Sequence, residues 1–272
     1  MNYLFMSGQF LVTLLLGLSL PSTGRTAAPP NGEPAVSVRH TTATYESGRH
    51  TINVECYTPA VNNKLPAVIL VHGADGLKSD VWNDRYRQYA GKLASQGYAV
   101  FFPHYFERTG GGRADLSAIL QNFAAWRETL SDARDFAAKQ PGVDPSRIGL
   151  VGISLGSSLA VSLASEDERI RAVVSFFGVF PALGVGMMGH LPPTLILHGA
   201  KDQLVPVQEA YRIERQLKAL HSPYEIKIYP DQGHGFTGAA VEDSYQRVVN
   251  FLEKYLNPSG HPLIPNAQMQ SF

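Results

Sequence analysis

The chain has 272 residues with 23 basic and 23 acidic side chains, so its formal net charge is zero when histidine is neutral. Apolar residues make up 44% of the sequence, which supports a packed core and excludes disorder as the main state. Zero net charge also removes long-range attraction to nucleic acid or to an anionic membrane as the basis of function. The length fits one or two domains, since single α/β domains often reach about 250 residues.

The N-terminus differs in composition from the rest of the chain. Residues Phe10–Leu20 form an apolar run that is too short to span a bilayer, which takes about 20 apolar residues. The run is typical of a secretory signal peptide, and the small residues Ser22 and Gly24 suit cleavage after residue 24. We therefore expect a signal peptide at 1–24 and a secreted or periplasmic mature chain without stable membrane insertion. No Lys or Arg precedes Arg25, which leaves an uncleaved anchor or a misassigned start as the alternative.

Apolar strands alternate with helical patterns along most of the remaining chain. The predicted strands cover 35–45, 51–58, 65–71, 98–103, 148–151, 170–177, 193–197 and 224–229. The predicted helices cover 80–96, 113–140 (one helix or two), 154–165, 207–220 and 241–256. This alternation predicts an α/β fold with a mostly parallel sheet and helices on both faces. We expect one domain at 25–257 without a large lid, followed by an extended tail at 258–272.

A serine lies at the turn between the strand at 148–151 and the helix that follows it. The sequence GISLG at 152–156 matches G-x-S-x-G, in which a sharp strand-to-helix turn exposes a serine on strained backbone. The glycines on both sides let neighbouring chain pass without Cβ clashes. Ser154 is therefore predicted to be a nucleophile.

A serine hydroxyl needs a base, and the base needs an acid that orients it. In a fold of this type the acid and then the base follow the serine, each beyond the end of a strand. Asp202 follows the strand that ends in LILHG, and His234 lies in the glycine-flanked loop DQGHG. Asp231 and His198 are the alternatives. We favour Asp202 and His234, because Asp231 lies only three positions before the base in the same loop and His198 falls on a strand end.

The oxyanion of an acyl-transfer intermediate needs two backbone N–H donors. One is expected from Leu155, the residue after the nucleophile. The other is expected from the loop His72–Gly76, which follows the strand at 65–71. A backbone donor has no side-chain signature, so Ala74 is our choice and Asp75 is the alternative.

Three residues after the strand at 98–103 are candidates for substrate contacts, since they lie at the same edge of the sheet as the serine. Arg108 could bind a substrate carboxylate through two hydrogen bonds, and a solvated loop arginine is the alternative. Tyr105 could supply an apolar wall. His104 could line the pocket, and an ordinary loop histidine is equally compatible with the pattern.

No cofactor and no metal is predicted. The segment 184–189 (GVGMMG) fits G-x-G-x-x-G, but prolines follow it where a dinucleotide site would have a helix. No histidines and cysteines are spaced as zinc ligands would be. Cys56 is the only cysteine and lies in an alternating strand pattern, so it is interpreted as a small packed thiol.

Several segments together resemble the α/β-hydrolase superfamily, and its dienelactone hydrolase-like branch in particular, here with a serine nucleophile. They run from about residue 65 to 236 and read LPAVILVHGADG, GYAVFFPHY, DPSRIGLVGISLG, LILHGAKDQLVP and YPDQGHGF. The resemblance implies an open sheet, no cofactor and hydrolysis of carboxylic esters or lactones of small molecules through an acyl-enzyme. A serine peptidase or acyltransferase with the same triad is one alternative. A non-catalytic ligand-binding protein on this fold is the other.

Overall fold

The computed structural model describes residues 37–78, 80–181, 190–257, 259, 260 and 263. The predicted signal peptide at 1–24, the glycine-rich segment at 184–189 and most of the predicted tail lie outside these residues. The strands are β1 (Val38–Ser47), β2 (His50–Pro59), β3 (Leu65–Val71), β4 (Ala99–Pro103), β5 (Val143–Ile153), β6 (Ile170–Phe176), β7 (Thr194–Gly199) and β8 (Tyr224–Tyr229). The helices are α1 (Asp80–Ser95), α2 (Leu116–Ala138), α3 (Leu155–Ala164), α4 (Gln208–Ala219) and α5 (Ala239–Leu256), with a 3₁₀ turn at Tyr105–Thr109.

The described strands form one sheet in the order β1-β2-β4-β3-β5-β6-β7-β8. The pairs β1–β2 and β2–β4 are antiparallel, and every pair from β4 to β8 is parallel. This confirms the predicted mostly parallel sheet. Because parallel strands end at one edge, the loops after β3, β4, β5, β6, β7 and β8 meet there, with Val71 paired to Gly152 and Gly199 paired to Tyr229.

The central strands β3, β4, β6 and β7 are buried on both faces of the sheet, as their continuous apolar sequences predict. Along β3, Ile69 belongs to one buried apolar cluster, which includes side chains of α2, α3 and α4, and Leu70 belongs to a second, which includes side chains of α1 and α5. Trp126 of α2 and Phe251 of α5 are among the largest fully buried side chains. Each fully buried side chain of this size contributes roughly 1.5–3 kcal/mol to folding. Cys56 is buried and free, as predicted.

The helical pattern predicted at 113–140 is a single helix with a later start. The side chain of Asp115 accepts a hydrogen bond from the Ala118 N–H at 2.8 Å, and α2 therefore begins at Leu116. An aspartate in this position satisfies one of the N–H groups that the first turn of a helix leaves without a partner. Residues 113–115 belong to the loop at the edge of the sheet where the site lies.

One described residue of the predicted tail packs on the domain. Leu263 is buried, and its carbonyl accepts a hydrogen bond from Asn63 Nδ2 at 3.0 Å.

Among the helices in the described ranges, none is long and apolar enough to cross a membrane.

Candidate active site

The turn from β5 into α3 has the strained geometry that its sequence predicts. Ser154 has φ 55° and ψ −117°, a region that costs a residue other than glycine roughly 1–3 kcal/mol. A Cβ on Gly152 would lie 2.4 Å from the Gly156 carbonyl oxygen, and one on Gly156 would lie 2.2 Å from the Val71 carbonyl oxygen. Only glycine fits at either position, and the turn therefore projects Ser154 at the edge of the sheet.

The three predicted triad residues come together from the ends of three strands. Ser154 Oγ lies 3.0 Å from His234 Nε2, and His234 Nδ1 lies 2.8 Å from Asp202 Oδ2. An ionised carboxylate only accepts hydrogen bonds, so Nδ1 carries the proton and Nε2 presents its lone pair to the serine hydroxyl. In this tautomer His234 is ready to take the proton of Ser154.

Asp202 is held ionised by its own loop. Its Oδ1 accepts hydrogen bonds from the N–H groups of Leu204 at 2.9 Å and Val205 at 2.8 Å. Burial opposes the negative charge, but hydrogen bonds from His198, His234 and the Val205 amide outweigh it and hold the pKa of this carboxyl well below its ordinary value. Asp202 is therefore an anion throughout the neutral pH range.

The two alternatives for acid and base have other partners. Asp231 pairs with Lys201 at 2.8 Å on the surface. His198 is fully buried, and its Nε2 lies 2.9 Å from the Val205 carbonyl oxygen and 3.4 Å from Asp202 Oδ2. His198 thus supports the loop that carries the acid, in line with the structural role expected for it.

An aromatic side chain that the sequence did not single out packs against the base. The Phe177 ring lies 4.6 Å from the His234 ring in an edge-to-face arrangement, and Phe236 lies 5.5 Å from Phe177. Phe177 has φ 37°, an uncommon conformation for a bulky residue. This ring limits rotation of the imidazole on its apolar side. Nothing in the local pattern distinguishes Phe177 from a core residue that ends a strand.

The predicted oxyanion loop runs against the nucleophile. A Cβ at Gly73 would lie 3.3 Å from Ser154 Cβ. The Ala74 carbonyl accepts a hydrogen bond from the Ala114 N–H at 2.8 Å, which ties this loop to the chain that precedes α2. The N–H groups of Ala74 and Leu155 donate to no residue in the described part of the chain. Both remain the predicted oxyanion donors.

Tyr105 does not form an apolar wall of the pocket, and this prediction is wrong. Its side chain is fully buried, and its ring stacks on His72 at 4.1 Å. Its hydroxyl donates a hydrogen bond to the His72 carbonyl oxygen at 3.0 Å. The 3₁₀ turn that begins at this residue directs the ring into the core, where it supports the oxyanion loop from below.

Arg108 does not face the site, and its predicted role as a carboxylate anchor is also wrong. Its guanidinium donates to the Ser47 carbonyl oxygen and pairs with Glu128 at 3.1 Å. The same 3₁₀ turn points this side chain towards the β1–β2 hairpin and α2. The guanidinium thereby has a hydrogen-bond acceptor and a carboxylate partner within the protein.

His104 lines a cleft of about 290 Å³ beside the oxyanion loop, together with His72, Leu77, Lys78, Arg87, Phe106, Glu107, Gly111 and Gly112. Its Nε2 lies 3.1 Å from Glu55 Oε1, and its Nδ1 lies 3.6 Å from Glu107 Oε1. Neither Ser154 nor His234 is among the lining residues of this cleft, so a role of His104 in the substrate pocket stays a prediction.

A second buried carboxylate, Glu55, was not indicated by any sequence pattern. Arg87 donates to it from Nε at 3.0 Å and from Nη2 at 2.9 Å, and the Tyr57 hydroxyl donates at 2.8 Å. The rings of His40 and His104 each lie 3.1 Å from one of its oxygens. We call these five residues the Glu55 cluster. Burial raises the pKa of Glu55, but the hydrogen bonds and the charge of Arg87 hold it well below its ordinary value.

Among the described residues, no group of three or more histidine, cysteine, aspartate or glutamate side chains is arranged to hold a metal ion.

Comparisons with known proteins fit this geometry. The family model described as the dienelactone hydrolase family matches residues 52–256. A carboxymethylenebutenolidase of Rhodococcus opacus is 28% identical over 195 residues, which cover 63% of this chain and 76% of the relative. The crystal structure of a dienelactone hydrolase-like promiscuous phosphotriesterase from metagenomic libraries has a TM-score of 0.69 at 20% identity and covers 81% of this chain and 99% of its own. An acylaminoacyl peptidase of Pyrococcus horikoshii has a TM-score of 0.66 at 16% identity and covers 85% of this chain, which corresponds to 44% of the peptidase.

Proposed function

Because the chain belongs to the dienelactone hydrolase family, we propose that it hydrolyses carboxylic esters and lactones of small molecules through an acyl-enzyme on Ser154. The observation that carries the proposal is the unbroken line of hydrogen bonds from Ser154 through His234 to Asp202. The name of the Rhodococcus relative supports lactones within the substrate class.

Acylation follows from the tautomer of the base. His234 Nε2 takes the proton of Ser154 as Oγ attacks the carbonyl carbon of the substrate, and a tetrahedral intermediate forms. The N–H groups of Leu155 and Ala74 stabilise its oxyanion. When the intermediate collapses, His234 gives the proton to the leaving alkoxide. General acid–base catalysis of this kind contributes about 10²–10⁴-fold.

Deacylation repeats these steps with water. His234 removes a proton from water, the hydroxide attacks the acyl carbon, and Ser154 Oγ leaves with the proton returned by His234. In a lactone the alcohol remains attached to the acyl group, so one hydroxy acid is released. An ester gives a separate alcohol and acid.

Asp202 acts through electrostatics and orientation. Its side chain is fully buried, and its Oδ2 lies 2.8 Å from His234 Nδ1, so the contact is direct. A charge in such a place stabilises the imidazolium that forms in each transition state more strongly than a solvated carboxylate would. The two backbone N–H bonds from Leu204 and Val205 keep the carboxylate in position.

The nucleophile is tested with a fluorophosphonate probe and with p-nitrophenyl esters and lactones of graded size. We expect Ser154→Ala to abolish labelling and to lower kcat by about 10⁵–10⁶-fold. Ser165→Ala is the matched control, because Ser165 lies directly after α3 and its hydroxyl donates a hydrogen bond to the Ser162 carbonyl oxygen. Equal labelling of Ser154→Ala and the wild type would overturn the assignment.

The same assay decides between the alternatives. Labelling without turnover of any ester or lactone would favour a peptidase or an acyltransferase. Absence of both labelling and turnover in the folded wild type would favour a ligand-binding protein.

We also propose that residues 1–24 direct export of the chain to the periplasm or the medium. The apolar run Phe10–Leu20 and the small residues that follow it support this proposal. N-terminal sequencing of the protein produced from the full chain is expected to begin at Arg25. An intact N-terminus on protein recovered from the cytosol would contradict it.

A further inference from the structure

A tyrosine of α1 lies at the oxyanion loop, and the mechanism above does not use it. Tyr86 is buried, and its ring is packed between Trp82 at 5.9 Å and Phe102 at 5.6 Å. Its hydroxyl oxygen accepts a hydrogen bond from the Gly73 N–H at 3.1 Å. The phenol is therefore fixed at both ends, by its neighbours along the ring and by the loop at its tip.

The hydroxyl of Tyr86 also lies near the nucleophile. The side-chain position that Gly73 leaves empty lies 3.5 Å from Tyr86 Oη and 3.3 Å from Ser154 Cβ. The two side chains thus border the same small space, with no Cβ between them. Any substrate carbonyl attacked by Ser154 must enter this neighbourhood.

The hydrogen of the Tyr86 hydroxyl has no acceptor in the part of the chain that the structure describes. A phenol that accepts one hydrogen bond still has its own proton to donate. No residue in the described ranges accepts it. Burial raises the pKa of Tyr86 to about 12, so the group keeps its proton at every pH where the triad works.

We propose that Tyr86 Oη–H is a third donor to the oxyanion, beside the N–H groups of Leu155 and Ala74. This inference rests on the proposed function, because it needs a tetrahedral intermediate on Ser154. During attack, the carbonyl π electrons move onto oxygen, and the fixed phenol donates a hydrogen bond to the negative charge that develops there. No proton is transferred, so the phenol is unchanged when the acyl-enzyme forms.

The first test is removal of the hydroxyl. We expect Tyr86→Phe to lower kcat by about 10²-fold with KM changed by less than about threefold, because the donor acts in the transition state. The rate constant of Ser154 labelling by the fluorophosphonate probe falls in parallel. Tyr89→Phe is the matched control, since Tyr89 lies on the same helix and its buried hydroxyl has no described hydrogen-bond partner. Thermal melting of both variants monitors folding.

A second variant separates donation from support of the loop. Fluorination of the ring makes a phenol a stronger donor and a weaker acceptor, with little change in shape. With 3-fluorotyrosine at position 86 we expect faster labelling of Ser154 than in the wild type. Slower labelling would show that Tyr86 only holds the Gly73 N–H, and would overturn the proposal.

The remaining outcomes are also decisive. Wild-type rates in Tyr86→Phe, with Ser154 still labelled, would overturn the role of Tyr86 and leave the proposed function intact. Equal labelling of the wild type and Ser154→Ala by the probe would instead overturn the proposed function and the oxyanion role of Tyr86 together.

Discussion

Two buried carboxylates, Asp202 and Glu55, have similar surroundings but different roles. Each has two histidine rings close to its oxygens, at 2.8 and 3.4 Å for Asp202 and at 3.1 Å in both cases for Glu55. Each has a pKa held below its ordinary value, because hydrogen bonds outweigh the effect of burial. Proximity of histidine and carboxylate therefore does not by itself mark a catalytic pair.

The difference lies in what else each carboxylate and each histidine contacts. Glu55 is paired with the permanent charge of Arg87, which neutralises it whatever the histidines do. Asp202 has no lysine or arginine partner in the described ranges, so its charge is available to an imidazolium. His234 also reaches Ser154 with its second nitrogen, whereas the second nitrogen of His104 faces Glu107.

Among the variants that compare the two carboxylates, Asp202→Asn is expected to have the largest effect. An asparagine amide can donate to His234 Nδ1, which moves the imidazole proton to Nε2 and leaves the Ser154 hydroxyl without a base. We expect kcat to fall by about 10³–10⁴-fold with the fold retained. Ester turnover and circular dichroism measure the two effects. Asp231→Asn, in the His234 loop and on the surface, is the control and is expected to stay within about twofold of the wild type.

Glu55→Gln is the corresponding variant of the other carboxylate, and we expect it to lower stability and not activity. Removing the charge leaves Arg87 and the buried oxygens imperfectly paired, and we expect a loss of about 2–3 kcal/mol in the free energy of unfolding. This is below the range for fully buried pairs, because the Arg87 side chain is 42% exposed. Urea unfolding measures it, with Glu46→Gln on the exposed hairpin as the control.

The comparison between the two carboxylates fails if Glu55→Gln behaves like a triad variant. We expect its kcat to stay within about threefold of the wild type at a temperature well below melting. A fall of 10²-fold or more in kcat, with the protein folded, would make the Glu55 cluster part of the catalytic machinery.

The contrast also shows what the sequence could predict. The triad was predictable, because each member follows a strand and the parallel sheet brings strand ends to one edge. The Glu55 cluster was not, since its members come from β1, β2, α1 and the end of β4, and the contact between Glu55 and His104 alone joins residues 49 positions apart. No local pattern records which side chains the antiparallel strands β1 and β2 bring against α1.

The directions of side chains in irregular structure likewise could not be predicted from the sequence. Tyr105 and Arg108 were correctly placed after β4, but the 3₁₀ turn sends one into the core and the other towards Ser47. A helix or a strand has a period from which direction follows, and a turn of this length has none. The partner of the Tyr86 hydroxyl on α1 also depends on the neighbouring loop, which the helical pattern at 80–96 does not record.

The pH dependence of stability gives a smaller effect that tests the charge of Glu55. The pKa of Glu55 is lowered by folding from its ordinary 4.5, so its stabilising contribution is complete above that pH and is lost as the pH falls below it. We expect the free energy of unfolding to drop by up to about 1.4 kcal/mol per pH unit for this proton below pH 4.5. In urea titrations at pH 7, 5, 4 and 3.5, Glu55→Gln should show a shallower acid slope than the wild type. Equal slopes would show that Glu55 does not bind its proton on unfolding.

The smallest effect is expected at the outer edge of the Glu55 cluster. His40 stacks on Tyr57 at 4.3 Å and contacts Glu55, but its side chain is 48% exposed. Since Arg87 remains to neutralise the carboxylate, we expect His40→Ala to cost about 1 kcal/mol or less in the free energy of unfolding and to leave kcat unchanged. The corresponding loss at the other carboxylate, His234→Ala, removes the base itself and abolishes turnover. A loss of 3 kcal/mol or more in His40→Ala would mean that the histidines, and not Arg87, neutralise the Glu55 carboxylate. The contact of His234 with Ser154 would then be the one difference left between the two carboxylate sites.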